Sequence, residues 1–231
     1  MIETAAGLVL RTRPLTETSL IIHWLTPNLG RLATVAKGAH RAHSPFRGKL
    51  DLFYLADFSF SRSRRSELHT LREVSLRETH SGLRKDLGRL QQAAYCTALV
   101  EQATETETPL PHVFALMTGF LGHLVARPQE AATIFSFEFK LLTELGLKPD
   151  LDQSNLNPGT KQLVKTLTGS DWPVVARLRL TVAQVAELSR FLHGFVLYHM
   201  GRIPNGRDAA LGLPRQRTLK PDSSLGRNYR L

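Results

Sequence analysis

Near residues 79–83 the hydrophobic period of this sequence changes from strand-like alternation to helical spacing, so a strand-built unit must be followed by a helix-built one. Before the switch the apolar residues fall in short stretches: AAGLVLRTR (5–13), SLIIHWLT (19–26), RLATVAKGAH (31–40), DLFYLADFSF (51–60) and LHTLREVSL (68–76). The second is rich in β-branched and aromatic residues, and Pro27-Asn28-Leu29-Gly30 reads as the turn of a hairpin leading into the third. In the fourth, Leu52, Tyr54, Ala56, Phe58 and Phe60 share one face. The fifth carries two competing faces, Leu68, Thr70, Arg72, Val74 and Leu76 against His69, Leu71, Glu73 and Ser75. Five short strands without a helical pattern predict a small closed or nearly closed barrel, and five is the strand count of an OB-fold.

After the switch, Leu87, Leu90, Ala94, Ala98 and Val100 recur at helical spacing in a segment (84–104) that ends before Pro109-Leu110-Pro111. A short apolar helix is expected over 112–126, with Pro128 in the first turn of the next one. That next helix runs through Ile134, Phe135, Phe137, Leu141 and Leu142 to Gly146 and is apolar on nearly every side, as a buried central helix would be. A polar connector with two prolines (147–160) leads to a short helix over 161–169. Thr181 with Gln184 has the signature of a capping box, opening an amphipathic helix that Gly201 closes. The fold class is therefore α+β in two domains, a five-stranded OB-fold barrel over 1–80 and an α-helical domain over 81–201. Residues 202–231 read as a basic tail, rich in Gly, Pro and Arg and expected to be mobile.

Charge is distributed unevenly along this chain of formal net charge +10. Residues 1–80 hold twelve basic and seven acidic side chains, residues 81–200 eleven of each, and residues 201–231 seven and two. The whole excess sits at the two ends, which a polyanionic partner, most often nucleic acid, would explain. The longest apolar runs fall well short of the roughly 18 residues a membrane-spanning helix needs. The start lacks the basic n-region of a secretory signal. One cysteine, Cys96, permits neither an intramolecular disulfide nor a cysteine-based zinc cage. A cytoplasmic protein is expected.

Enzyme signatures are missing. The sequence has no phosphate-binding G-x-x-x-x-G-K-[ST] loop, no G-x-G-x-x-G, no G-x-S-x-G elbow and no H-E-x-x-H. Its histidines are scattered, with His193 and His199 six apart, a poor spacing for one metal. What stands out instead is residues 37–49, where Lys37, Arg41, Arg47 and Lys49 occur with no acid among them. Cations spaced two to six residues apart on a flexible loop suit a phosphate backbone. Two roles fit Phe46 in the same stretch, a surface on which a base stacks or a plug that closes the barrel. Arg62, Arg64 and Arg65 form a second cluster, which either extends the groove or is a charged hairpin tip that keeps the sheet soluble.

These residues resemble the RecO family of recombination mediators. The matching pieces are Glu17-Thr18-Ser19-Leu20-Ile21, Gly30-Arg31-Leu32 and Val35-Ala36-Lys37-Gly38-Ala39, followed by LREVSL (71–76), LLTELGLKPDL (141–151) and the closing helix to Tyr198-His199-Met200-Gly201. The resemblance implies an OB-fold joined to a helical domain, in a protein that binds single- and double-stranded DNA, anneals complementary strands and is no enzyme. It further implies DNA repair with a RecR-type protein and the C-terminal tail of single-strand-binding protein, loading recombinase onto single strands. A cytoplasmic, nucleoid-associated protein without a cofactor or a membrane partner follows. Lys37 lies in a matching motif and Arg41, Arg47 and Lys49 in the loop after it, so these carry over as DNA contacts.

The chain departs from the family at one place. Many members carry a four-cysteine zinc module directly after the stretch matching LGLKPDLD, whereas Gln153-Ser154-Asn155-Leu156-Asn157-Pro158-Gly159 contains no cysteine. No metal site is expected here. A reading from a different class is a helical protein–protein adaptor whose barrel is a docking module with only incidental DNA binding.

Overall fold

A computed structural model describes residues 1–213, and the part of the expected tail from 214 onward lies outside the described residues. Strands β1 (Ile2–Pro14), β2 (Leu20–Thr26), β3 (Gly30–Ala36), β4 (Leu55–Ser61) and β5 (Leu68–Glu78) close into a barrel in the order β1-β2-β3-β5-β4. All neighbours are antiparallel except β3 and β5, which run parallel over Ala33–Val35. Val9, Ile22, Trp24, Leu32, Phe58 and Phe60 fill the interior. The Trp24 ring stacks on Phe58 with centroids 4.2 Å apart, and its Nε1 donates to Thr34 Oγ1 at 2.8 Å, which satisfies the one polar atom the indole brings inside.

A β-bulge resolves the two competing faces of β5. Phe58 pairs with Val74 and Ser59 with Glu73, but Phe60 pairs with Leu71, so the partner strand has no residue opposite Arg72. Inward positions therefore change parity at the bulge, with His69 and Leu71 buried before it and Val74 after it. Both sequence faces are used, each over half the strand. The third and fourth strands are shorter than the sequence stretches, because 37–54 forms consecutive turns and not strand.

A 3-10 turn (Ser81–Lys85) leads into helices α1 (Leu87–Ala103), α2 (Pro111–Ala126), α3 (Ala131–Glu144), α4 (Pro158–Gly169), α5 (Trp172–Val175), α6 (Val182–Met200) and α7 (Arg207–Ala210). Asp86 caps α1 by accepting from the Arg89 amide, and Thr181 with Gln184 completes a capping box on α6, which ends at a left-handed Gly201. Ten residues of α3 are buried, as its all-round apolar pattern requires. Pro128 does not open that helix: it precedes Glu130, which takes the N-cap position. No helix among the described residues is long and apolar enough to cross a membrane.

The barrel and the helices share one core. Leu8 and Leu10 of β1, Leu25 of β2 and Phe53 belong to the hydrophobic cluster of the helical unit, each such burial worth about 1.5–3 kcal/mol. The connector between α1 and α2 reinforces the joint: Thr106 bridges to Arg31 in parallel, and the Glu107 amide donates to the Arg31 carbonyl at 2.8 Å. Gly30 makes this approach possible. It has φ +66, and a Cβ there would overlap the Thr108 backbone, so Gly30 and Arg31 of the Gly30-Arg31-Leu32 motif form one of the barrel's contacts with the helical unit.

Residues 202–213 are not a mobile extension. Arg207 is buried, with Nε 2.7 Å and Nη2 2.9 Å from the two carboxylate oxygens of Glu138, while the Tyr95 hydroxyl donates to the same carboxylate at 2.5 Å. Gln92 and Gln129 donate to the Ala210 carbonyl, each at 3.0 Å. Sequence reading missed this strap because it has no periodicity, and its anchor is an ion pair between distant positions.

Candidate nucleic-acid interface

The segment after β3 is built by local hydrogen bonds. The Arg41 amide donates to Gly38 O at 3.1 Å, Ser44 to Arg41 O at 3.1 Å, Arg47 to Ser44 O at 3.2 Å and Lys49 to Phe46 O at 3.0 Å. Ser44 Oγ accepts from the Phe46 amide at 3.2 Å. Gly38, at φ +67, turns the chain out of β3, and its amide donates to Ser19 Oγ at 3.3 Å. The loop is thus a chain of turns held by local hydrogen bonds.

Arg41 and Arg47 line a concavity of about 430 Å³ together with His40 and Gly48. Arg47 Nη1 donates to the Ala42 carbonyl at 3.3 Å, which orients its guanidinium. Lys37 is exposed beside them, and Lys49 faces the other side of the loop, in a groove of about 710 Å³. Among the described residues, none of these four cations has an acidic partner within 4 Å. An unpaired cation keeps its full attraction for phosphate, since binding breaks no ion pair.

Phe46 takes the plug position. At 7% exposure it belongs to the barrel core cluster, packed with residues of the interior, so its ring is not offered to a base.

The second cluster divides. Arg62 is held by Glu3 (Nε–Oε1 2.7 Å) and Glu107 (Nη1–Oε1 2.6 Å), and these carboxylates raise its pKa above the ordinary guanidinium value, chiefly through the hydrogen bond from Arg62 to Glu3. His69 Nε2 lies 3.0 Å from the same Glu107 oxygen, and its Nδ1 accepts from the Ser63 amide at 3.3 Å. Arg62 is therefore a clamp between barrel and helices. Arg64 and Arg65 are exposed at the β4–β5 tip. Because β3 and β5 are parallel, this tip lies at the start of β3 and the loop with Lys37 at its end. The two clusters occupy opposite ends of the barrel.

Arg11 of β1 and Arg31 of β3 add little. Arg11 pairs with Glu101 at 3.2 Å, and Arg31 Nε donates to Thr104 Oγ1 at 2.8 Å. Burial first, and then Arg11, Arg13 and Arg31, push the His23 pKa down to about 4, so this face gains no charge from it at neutral pH. Among the described residues no three His, Cys, Asp or Glu side chains gather to hold a metal ion, and Cys96 is buried in α1. Burial pushes its thiol well above the usual range.

On the helical unit, Leu180, Val182, Val185 and Ala186 line an apolar groove of about 470 Å³ with Arg190 and His193 among its lining residues. Val182 is 88% exposed, and further along α6 Tyr198 is 84% exposed. No large apolar side chain of α2 is exposed to that degree.

The chain is thus a five-stranded OB-fold barrel with a cationic loop at one end, joined to a helical unit. The family models described as Recombination protein O N terminal and Recombination protein O C terminal match residues 1–80 and 84–156. The DNA repair protein RecO of Bacillus pumilus is 33% identical over 153 residues, covering 66% of this chain and 59% of the relative. That of Rhodopirellula baltica is 32% identical over 143 residues, covering 62% and 53%. A longer match, to the DNA repair protein RecO of Desulforamulus reducens, is 26% identical over 228 residues and covers 84% and 88%. The chain thus spans little more than half the length of the first two relatives. It belongs to the RecO family.

Proposed function

We propose that this chain is a non-enzymatic DNA-binding protein of DNA repair, which anneals complementary strands and helps load recombinase onto single-stranded DNA. The observation that supports the reading is the loop at the barrel end, whose four cations have no acidic partner among the described residues and of which Arg41 and Arg47 line one concavity and Lys49 another. The relatives' name, DNA repair protein, points the same way. The strongly displaced pKa values belong to His23 on the barrel and to Tyr95, Cys96 and Arg207. Those of Tyr95, Cys96 and Arg207 arise inside the helical core, where burial raises the Tyr95 and Cys96 values and opposes the charge on Arg207, which Glu138 nevertheless holds. None of the three lines a cleft where a substrate would sit.

Titration of labelled single-stranded and duplex DNA at several salt concentrations tests the reading. With about four phosphate contacts on a single strand, log K falls with log salt at a slope near −3. A flat dependence would falsify the electrostatic account and favour the adaptor reading.

The helical unit serves protein partners in this proposal. The α6 groove, apolar with Arg190 and His193 beside it, suits a short acidic-hydrophobic peptide such as the C-terminal tail of single-strand-binding protein. A RecR-type protein is the other expected partner. The peptide should bind the intact chain, and Val185→Asp with Arg190→Glu should weaken it at least tenfold while DNA affinity stays unchanged. Equal peptide affinity in the variant would move that partner elsewhere on the surface.

A further inference from the structure

The five residues 45–49 form a wall between two concavities. Phe46, Arg47 and Gly48 line the smaller one, whereas Pro45 and Lys49 line the larger groove on the other side. That larger groove follows β4 and β5, with Asp57 and Arg77 nearer the end that holds the basic loop and Arg72 and Glu73 nearer the Arg64–Arg65 tip. Its lining runs from Pro45 and Lys49 of the loop along Asp57–Ser59 of β4 and Arg72–Arg77 of β5 and stops short of Arg64 and Arg65.

OB-folds commonly bind nucleic acid across the second and third strands. In this chain the helical unit packs against β1 and β2, with Leu8, Leu10 and Leu25 in its core. The groove along β4 and β5 is lined by no residue of the helical unit.

Arg72 is the distinctive residue of this groove. As the extra residue of the bulge it is exposed, and its Nε donates to Ser61 Oγ at 2.8 Å. Among the described residues it has no acidic partner within 4 Å, so its two Nη groups are available to a ligand. Arg77, by contrast, is paired with Asp57 at 2.6 Å. Glu73 is exposed and carries no cationic partner among the described residues. A carboxylate repels phosphate but accepts from the exocyclic amino group of a base. A groove that offers both groups fits a ligand with a phosphate backbone and free base edges, which a single strand presents in full and a duplex only along its grooves.

We propose that the β4–β5 groove holds a single nucleic-acid strand that runs from the basic loop over Lys49 to Arg72 and on to Arg64 and Arg65, with Arg72 on phosphate and Glu73 on base edges. This rests on the DNA-binding reading above and names the strand path and the kind of strand. It also gives the second cluster a role through Arg64 and Arg65, with Arg62 reserved for the joint.

The test compares Arg72→Glu, Arg72→Lys and Glu73→Gln in the full chain, with single-stranded and duplex oligonucleotides of one length. Both positions are exposed, and an unchanged melting temperature confirms that each variant is folded. Arg72→Glu should weaken single-strand binding about tenfold and make the salt slope shallower by about 0.7, whereas duplex binding should change less than twofold. Arg72→Lys, which keeps the charge, should restore most of the loss. Glu73→Gln should narrow the difference between cytosine-rich and thymine-rich strands. If wild type binds DNA with a salt-dependent affinity but Arg72→Glu binds single strands as wild type does, the strand path is wrong and the function stands. Equal losses on single strands and duplex would likewise overturn the single-strand assignment. Absence of DNA binding by wild type would instead remove the function reading itself.

Discussion

Replacing Arg207 by Ala should lower the stability of this protein by about 3–5 kcal/mol, the usual cost of leaving one member of a buried ion pair alone. Arg207 is 4% exposed and Glu138 is fully buried. Two guanidinium nitrogens meet the two carboxylate oxygens, and Nη1 also donates to the Ser189 carbonyl at 3.1 Å. Without Arg207 the Glu138 charge keeps only the Tyr95 hydroxyl and must either stay buried unpaired or take up a proton. The α7 strap would lose its anchor at the same time. For a chain of this length the loss corresponds to a fall in melting temperature of about 10 °C. Urea unfolding checks the value, and a change below about 0.5 kcal/mol would show that the strap carries no stability. The pair Arg207→Met with Glu138→Leu should lose less than Arg207→Ala alone, because no charge is then stranded. Its remaining loss would come from the Tyr95 hydroxyl, left without an acceptor.

The second large effect concerns binding. The double substitution Lys37→Glu and Arg41→Glu should reduce DNA affinity about a hundredfold near physiological salt and halve the salt slope, since two of four phosphate contacts become repulsive. Both side chains are exposed and neither has an acidic partner among the described residues, so the fold should tolerate the change. The measurement is fluorescence anisotropy on one oligonucleotide across a salt series, with circular dichroism as the folding control. A variant that is folded and binds like wild type would show that the loop is not the DNA contact. Arg62→Ala provides the contrast. Its guanidinium joins Glu3 and Glu107, so its removal acts on the joint between barrel and helices and not on a free phosphate contact.

Local information sufficed for the partition of the chain. Alternation and helical spacing depend on neighbours a few residues apart, so the switch near residue 80, five strands, the buried α3 and the α6 capping box were legible without coordinates. The acid-free run of 37–49 was equally plain, because charge is written residue by residue. What only the tertiary structure decided were the pairings between remote positions. Arg62 looked like one more cation until Glu3 and Glu107, 59 and 45 positions away, were seen to hold it. The strap looked like a tail because its anchor, Glu138, lies 69 positions from Arg207. Phe46 had two possible destinations, and the choice rested on whether the barrel interior had room for its ring, which depends on five strands at once. The β5 faces were ambiguous because a bulge is a property of two paired strands and not of one. Periodicity and charge thus specify which elements form and where cations concentrate. Which cations remain free for a ligand depends on the carboxylates that folding brings beside them.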